Sequence, residues 1–368
     1  MNLVFCTPSF SLGGYEKVAV NYACGFAKLG HNVTIICGFK KGELLPLITD
    51  NIRIIEFKAR FRTFIFPLIK LLKNEPIDIL YVPYHSYTCL AVIAKLLSGN
   101  KKCVVYGSSH GYVKKRFLLD KLLGYVMKHA EVLTAVTHDL AKYDSSLFDI
   151  PLEKYTVLKN PVFYECQEIL KEKHKWLGEN KKYPVIVLSG RLAKDKNYDI
   201  SLNILQNIQK THQVKMIILG DGPEKKQLIA FAKDLGITDN VDFLGYVENP
   251  MGYIIQCDVF LHTATVEAFG NVIVEALYCD VPVITTSTSG PLEIIKHGKY
   301  GINIGDANDP RVIVNGANAI RTILDKKKVF IGLRNFAEQY TATKLENDFL
   351  RPYLRIKTAD KNMFKEER

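Results

Sequence analysis

The 368-residue chain contains no run of about 18 apolar residues, the least that lets a helix cross a bilayer, so no membrane-spanning helix is expected. Its eight cysteines (6, 24, 37, 89, 103, 166, 257 and 279) form no CxxC pair. Most sit in apolar stretches and read as small core residues of a reducing cytoplasm rather than as metal ligands or disulfide halves. GxGxxG and GxxxxGK[ST] are both missing, which argues against a nicotinamide-cofactor fingerprint and a P-loop. No Asp-x-Asp pair of the metal-chelating type occurs. Nor does a basic segment or a small-residue cleavage site surround Leu3-Val-Phe-Cys6, so no secretory leader is expected.

What is present describes a globular protein of two ordinary domains. Hydrophobic residues make up 48% and charged residues 24%, too rich in core formers for a disordered chain. The net charge of +11 is uneven: residues 1–160 carry 21 Lys and Arg against 12 Asp and Glu, the remainder 28 against 26. A basic first half attracts nucleic acid, an anionic membrane or a phosphorylated substrate. No nucleic-acid motif accompanies the charge, so no nucleic-acid partner is expected. The excess gathers in Lys58–Lys73 and Lys114–Lys121, which mix cations with bulky apolar side chains. That composition suits a segment lying on an anionic membrane surface; the alternative is a solvated helix with a core face.

Strand-like and helix-like segments alternate from the start. Strands are expected at 3–7, 32–37, 79–82, 102–106 and 132–136, and helices at 16–29, 89–97 and 117–129. The pattern pauses near Lys159-Asn-Pro-Val-Phe163, passes a polar stretch at 167–182, and resumes. The second series has strands at 185–190, 215–219, 241–244, 258–261, 281–285 and 301–304. This is an α/β chain of two Rossmann-like parallel-sheet domains, 1–163 and 164–334. Helices follow at 329–339 and 345–356, with the segment 335–356 returning to the first domain and the charged tail to Arg368 fraying. Ligands of such sheets bind beyond the carboxyl ends of the strands, so two facing domains place a cleft between those ends.

The loops at those ends carry the chemistry. Pro8-Ser-Phe-Ser-Leu-Gly-Gly-Tyr-Glu16 joins the first strand to a long helix, and Gly13-Gly14 allows a ligand close to the backbone and the helix amides. Ser108-Ser-His-Gly-Tyr112 puts His110 at a strand end, where imidazole can donate or accept. In Ser189-Gly-Arg-Leu-Ala-Lys-Asp-Lys-Asn197, Arg191 can grip a diphosphate in bidentate fashion and Lys196 adds a compact charge. Together they would stabilise a departing nucleoside diphosphate. Glu267-Ala-Phe-Gly-Asn-Val-Ile-Val-Glu275 is a strand–loop–helix junction with Gly270 at the turn, free amides at the helix start, and two carboxylates. An anion there is held by amides; the carboxylates suit hydroxyls attached to it, on a sugar and a ribose. A helix macrodipole alone accounts for one acid at most.

In collinear order over residues 1–355, the series Gly13-Gly14, Ser109-His-Gly111, Asn160-Pro161, Gly190-Arg-Leu-Ala-Lys-Asp-Lys196, Gly220-Asp-Gly-Pro223, Phe243-Leu-Gly245 and Glu267-x7-Glu275 resembles the retaining glycosyltransferases of family 4. The resemblance implies the two-domain GT-B fold, with the first domain taking the acceptor and the second the nucleotide-sugar. It implies that Gly14 gives its amide to the donor phosphate and that Arg191 and Lys196 hold the diphosphate and assist its departure. Glu267 would bind hydroxyls of the transferred sugar, with the amides of Phe269 to Asn271 beside it, and Glu275 the ribose. The backbone at Tyr246 and Val247 would border the base, and His110 would lie near donor sugar and acceptor. Configuration would be retained by front-face attack, without a divalent metal or other cofactor. Ala268, Asp280 and Ala264 depart from the commoner Gly, Gly and Ser, which bears on the donor's identity more than on activity.

The expectation is therefore a hexosyltransferase, cytoplasmic and peripheral on the inner face of the membrane. It would move a sugar from a UDP-linked, or else GDP-linked, donor to a lipid-linked saccharide, surface polysaccharide or lipopolysaccharide. A nucleotide-sugar epimerase or a phosphorylase would use the same fold, and a non-catalytic glycan-binding protein is the third class. Intact Glu267, Glu275, Arg191 and Lys196 argue against the last.

Overall fold

The computed structural model describes residues 1–366, which divide into two units. The first comprises 1–166 with the segment from Tyr340 onward, the second 167–339. In the first unit, β1 (Asn2–Thr7), β2 (Asn32–Cys37), β3 (Arg53–Glu56), β4 (Ile79–Pro83), β5 (Val104–Ser109), β6 (Val132–Ala135) and β7 (Tyr155–Val157) form one parallel sheet. Its order is β3-β2-β1-β4-β5-β6-β7. β1 and β2 pair residue for residue from Asn2 opposite Asn32 to Thr7 opposite Cys37. Their near-continuous apolar runs are what a sheet covered on both faces requires.

The second unit holds β8 (Val185–Ser189), β9 (Lys215–Leu219), β10 (Val241–Gly245), β11 (Val259–His262), β12 (Val283–Thr285) and β13 (Gly301–Asn303), again all parallel, in the order β10-β9-β8-β11-β12-β13. In each sheet the winding direction reverses once, between β1 and β4 and between β8 and β11. Crevices open at such reversals beyond the carboxyl ends of the strands, because neighbouring connections leave to opposite faces. The loops that follow β1, β5, β8 and β11 carry most of the candidate residues, and the one after β10 carries Tyr246 and Val247.

The C-terminal helix Ala342–Glu366 closes the first unit rather than extending the second. Phe349 is fully buried among Phe5, Tyr22, Phe26, Tyr81 and Tyr106. Gly25, on helix Gly14–Lys28, makes room for this helix: a Cβ there would meet that of Ala342 at 2.4 Å. Pro352 breaks the internal ladder of the helix, and the Tyr106 hydroxyl fills the break. It accepts from the Tyr353 amide at 2.9 Å and donates to the Phe349 carbonyl at 3.1 Å.

Several expectations are corrected here. β3, β7 and the helix His138–Phe148 are additional to the expected elements, and helix Ile65–Asn74 is the core-faced alternative for Lys58–Lys73. In place of one helix at 329–339 there is only Leu333–Ala337, entered through Gly332 at φ 71° and followed by a single 3-10 turn. The terminal helix runs ten residues past its expected end, to Glu366; 367 and 368 lie outside the described residues. The returning segment starts at Tyr340, leaving 335–339 with the second unit. Seven cysteines are buried and Cys166 is exposed.

The basic segment Lys58–Lys73 spends most of its apolar side chains internally: Phe64, Leu68, Leu71 and Leu72 are core residues, and only Phe61 and Phe66 face outward. Helix Phe117–Met127 is different. Leu118, Leu119, Leu122 and Tyr125 are exposed, the first at 81%, next to exposed Lys114, Lys115 and Arg116. Among the described residues no helix is long and apolar enough to cross a membrane.

Candidate active site

In the second unit two loops are laced together at the β8/β11 reversal. Thr263, one residue past β11, reaches the carbonyls of Lys196 and Asn197 through its hydroxyl at 3.1 and 2.9 Å. The Thr265 amide donates to the Asp195 carbonyl at 3.0 Å. Asn197, at φ 47°, ψ 52°, turns its amide onto Thr263 O and Thr265 Oγ1. Asparagine is among the few side chains that tolerate this left-handed backbone. The lacing delivers Lys196 Nζ to within 2.6 Å of Glu267 Oε2.

His262, the last residue of β11, brings Nε2 to 3.5 Å from the same oxygen. Glu267 is 19% exposed. Burial works against its charge, but the His262 contact and the Lys196 ammonium overcome that and hold its carboxyl down to about 2. Oε1 makes no hydrogen bond among the described residues. A carboxylate depressed from its ordinary 4.5 contributes stability above that value and loses it as pH falls towards 2. The thermal midpoint of Glu267→Gln should therefore lie below that of the parent by a constant gap above pH 5, worth about 3 kcal/mol. The gap should close between pH 4.5 and 2; a gap that widens on acidification would contradict the pairing.

Beyond Glu267, Phe269 is buried, Gly270 turns the chain at φ 98°, and helix Asn271–Tyr278 begins. A side chain at Gly270 would be strained by φ and would press on Ile273 at 3.0 Å. Glu275 lies in the second turn of that helix, 4% exposed. Arg191 is exposed and makes no ion pair among the described residues. Its loop rests on the turn after β9, where backbones touch: a Cβ on Gly220 would lie 1.9 Å from Gly190 O, and one on Gly222 2.3 Å from Leu192 O. That contact is why Gly220-Asp-Gly222 accompanies the arginine loop. Tyr246 stands 56% exposed after β10, with Val247 half-buried beside it. Among the described residues no group of three or more metal-ligating side chains converges.

In the first unit the β1/β4 reversal carries the remaining candidates. Gly14 faces open space, with nothing within 4 Å of a built Cβ, as close approach of a ligand needs. Gly13 answers to a local demand instead. Glu16 folds its carboxylate back so far that a Cβ on Gly13 would lie 1.8 Å from Oε2. The Tyr84 hydroxyl donates to Glu16 Oε1 at 3.3 Å, from a residue held at φ 56°. His110 is locked rather than free: Nε2 sits 2.7 Å from Ser108 Oγ and 3.1 Å from the Tyr81 hydroxyl, with Tyr15 against the ring edge. Burial pushes its imidazole down to about 3, an effect only partly offset by Asn160. It is a neutral hydrogen-bonding group at physiological pH, not a proton store. A cavity of about 430 Å³ beside β7, lined by His138, Lys142, Lys159 and Asp348 among others, contains none of the candidate residues.

The family models match on both units. Residues 12–164 fit the model described as Glycosyltransferase Family 4, and residues 170–337 the one described as Glycosyl transferases group 1. The chain belongs to glycosyltransferase family 4.

This glycosyltransferase is 25% identical over 82% of its length to the N-acetyl-alpha-D-glucosaminyl L-malate synthase of Bacillus anthracis, covering 83% of that protein. It is 26% identical, over 73% of each chain, to a Campylobacter jejuni enzyme. That relative is named N-acetylgalactosamine-N,N'-diacetylbacillosaminyl-diphospho-undecaprenol 4-alpha-N-acetylgalactosaminyltransferase. In fold it matches the Anabaena HepE structure in complex with UDP, at a TM-score of 0.76, 17% identity and coverage of 95% of this chain and 99% of that one. It likewise matches the lipopolysaccharide outer core galactosyltransferase WaaB, at 0.73, 19%, 96% and 99%. The neighbours share the GT-B architecture of two parallel-sheet domains. His262 has no motif partner in the sequence that would mark it. Asn197 and Gly290 also pass unmarked, their signals being a polar residue at a turn and a Gly-Pro pair after a strand.

Proposed function

We propose that this glycosyltransferase transfers a hexose from a nucleoside diphosphate sugar, UDP-linked in preference to GDP-linked, to a lipid-linked saccharide or a lipopolysaccharide-type acceptor, with retention and without a metal. The observation that carries this reading is the meeting of Lys196 and Glu267 at 2.6 Å at the β8/β11 reversal, with exposed Arg191 in the same loop as Lys196. A carboxylate with one oxygen held by a lysine and the other open suits sugar hydroxyls. The adjacent positive charge suits a diphosphate. In the reaction the bond from the anomeric carbon to the diphosphate breaks and its electron pair leaves on the β-phosphate. The acceptor oxygen bonds to the same carbon from the same face, and the acceptor's proton passes to the departing phosphate oxygen. Arg191, Lys196 and the helix amides at Phe269–Asn271 neutralise the growing charge, so no metal is required. Glu267 orients the sugar and Glu275 the ribose. His110 serves as a fixed, neutral donor or acceptor for substrate hydroxyls.

The names of the relatives support the acceptor class: diphospho-undecaprenol in one and lipopolysaccharide core in another. The decisive experiment incubates the enzyme with a panel of UDP- and GDP-sugars, with and without lipid-diphosphate saccharides, in a chelator. An α-linked product from one UDP-sugar is expected. Loss of transfer that added metal restores would contradict the metal-free mechanism, and an isomerised sugar formed without acceptor would make the enzyme an epimerase.

A lipid-linked acceptor brings the enzyme to a membrane. Helix Phe117–Met127 offers outward Leu118, Leu122 and Tyr125 beside Lys114, Lys115 and Arg116, an apolar strip with a cationic border. Anionic lipid complements that border at about 1 kcal/mol per cation, and the leucines add burial. Co-sedimentation with phosphatidylglycerol vesicles should fall at least tenfold in Leu118→Glu/Leu122→Glu, with an unchanged melting temperature since both side chains are exposed. Undiminished binding by the double variant would remove this surface from the model of membrane contact.

A further inference from the structure

His262 takes no part in the scheme above, yet it is a 93% buried side chain at the floor of the site. We propose that His262 is the positioning residue of Glu267, presenting an Nε2–H to Oε2 while Lys196 holds the same oxygen, so that Oε1 is fixed for the donor sugar. The inference rests on the sugar-gripping role of Glu267 and adds to it the device that aims the carboxylate.

Three observations carry it. Both cationic or N–H partners converge on one oxygen: Lys196 Nζ at 2.6 Å and His262 Nε2 at 3.5 Å from Oε2. Nε2 is buried and makes no hydrogen bond among the described residues, while Glu267 Oε2 lies 3.5 Å away, within reach of a small closure when the donor sugar binds. The opposite nitrogen is anchored, with Nδ1 3.1 Å from Thr285 Oγ1 on the neighbouring strand β12. Thr285 also reaches the Thr286 carbonyl at 3.2 Å. If the hydroxyl proton goes to Nδ1, the neutral ring carries its own proton on Nε2. That is the arrangement the positioning role requires, a donor at Nε2 fixed by the bond at the opposite nitrogen. Lys196 is itself paired more loosely with Asp195, at 3.9 Å. The chain at His262 is pinned as well, since its carbonyl accepts from the Thr286 amide at 3.1 Å.

The two amide side chains separate positioning from packing. Glutamine places an N–H at about the reach of Nε2, whereas asparagine reaches only to the level of Nδ1 and keeps the Thr285 contact. His262→Gln should retain kcat/KM for the sugar donor within about threefold. His262→Asn should lose about 10- to 100-fold, the worth of a hydrogen bond to a charged group. Binding of the free nucleoside diphosphate, measured by calorimetry with UDP, should be equal in both and in the parent. Glu267→Gln, run alongside, should show the same split between lost transfer and kept UDP binding. Equal kcat/KM in the glutamine and asparagine variants, with Glu267→Gln impaired, overturns the positioning role while leaving the site intact. An unimpaired Glu267→Gln overturns the reading of the site itself.

Discussion

Lys196→Ala should lower turnover about 100- to 1,000-fold, the usual scale for removing one preorganised charge from a developing anion. The lysine is placed by backbone: a 3-10 turn at Lys194–Lys196 closes on Asn197, and Thr263 clamps the carbonyls of both Lys196 and Asn197. Its removal also strips Glu267 of the cation 2.6 Å away, so the variant should melt lower than the parent. Arg191→Ala makes the informative contrast. Arg191 is exposed and without an ion pair among the described residues, so turnover should fall by a similar factor with the melting temperature unmoved. Steady-state kinetics and a thermal melt on both variants test this. Near-normal turnover in both would end the assignment of a phosphate clamp.

A second large effect is expected from a residue that touches no substrate. Gly290, in helix Ser289–Ile294, lies directly against the backbone of Phe269: an added Cβ would sit 2.4 Å from both its Cα and its carbonyl oxygen. Backbone cannot swing aside as a side chain does. Gly290→Ala should therefore displace the segment Glu267–Gly270, costing about 1–3 kcal/mol. Activity should fall about 100-fold through misplacement of the carboxylate by about 1 Å. Differential scanning fluorimetry and donor kinetics would show both losses together. Retention of both would mean that this segment is soft, and a soft segment cannot hold a carboxylate in register.

The same contrast explains how much could be read without coordinates. Strands buried on both faces declare themselves by continuous apolar runs, and β2 and β9 appear with the expected ends. β3 and β7 are short edge strands, half-buried and interrupted by polar residues such as Arg53, Glu56 and Thr156, so neither periodicity nor length marks them. Helix Ile65–Asn74 is amphipathic with lysines at its rim, a pattern that a core-facing helix and a membrane-lying one share. Within the site, the charged groups are legible because Arg191, Lys196 and Glu267 sit in loops just after apolar strands and Glu275 sits on the apolar helix that follows, where each stands out against its neighbours. His262 is not, because what defines it is proximity to Thr285 and Glu267, set by strand pairing and not by spacing. Gly13 and Gly290 show the limit for glycine: one makes room for Glu16, the other for a neighbouring backbone, and their neighbours in sequence announce neither.

The return of the C-terminal helix has a consequence for biosynthesis. Phe349 plugs the aromatic centre of a unit whose other members, Phe5 to Tyr106, leave the ribosome more than 240 residues earlier. Domains generally form as units in order of synthesis. Here the order is inverted at the finish: residues 167–339 can complete their sheet and core while the first unit still waits for its last helix. Until then the slot beside Tyr22 and Tyr81 stands open to solvent in the nascent chain. The amino-terminal half, first to be made, is the last to mature.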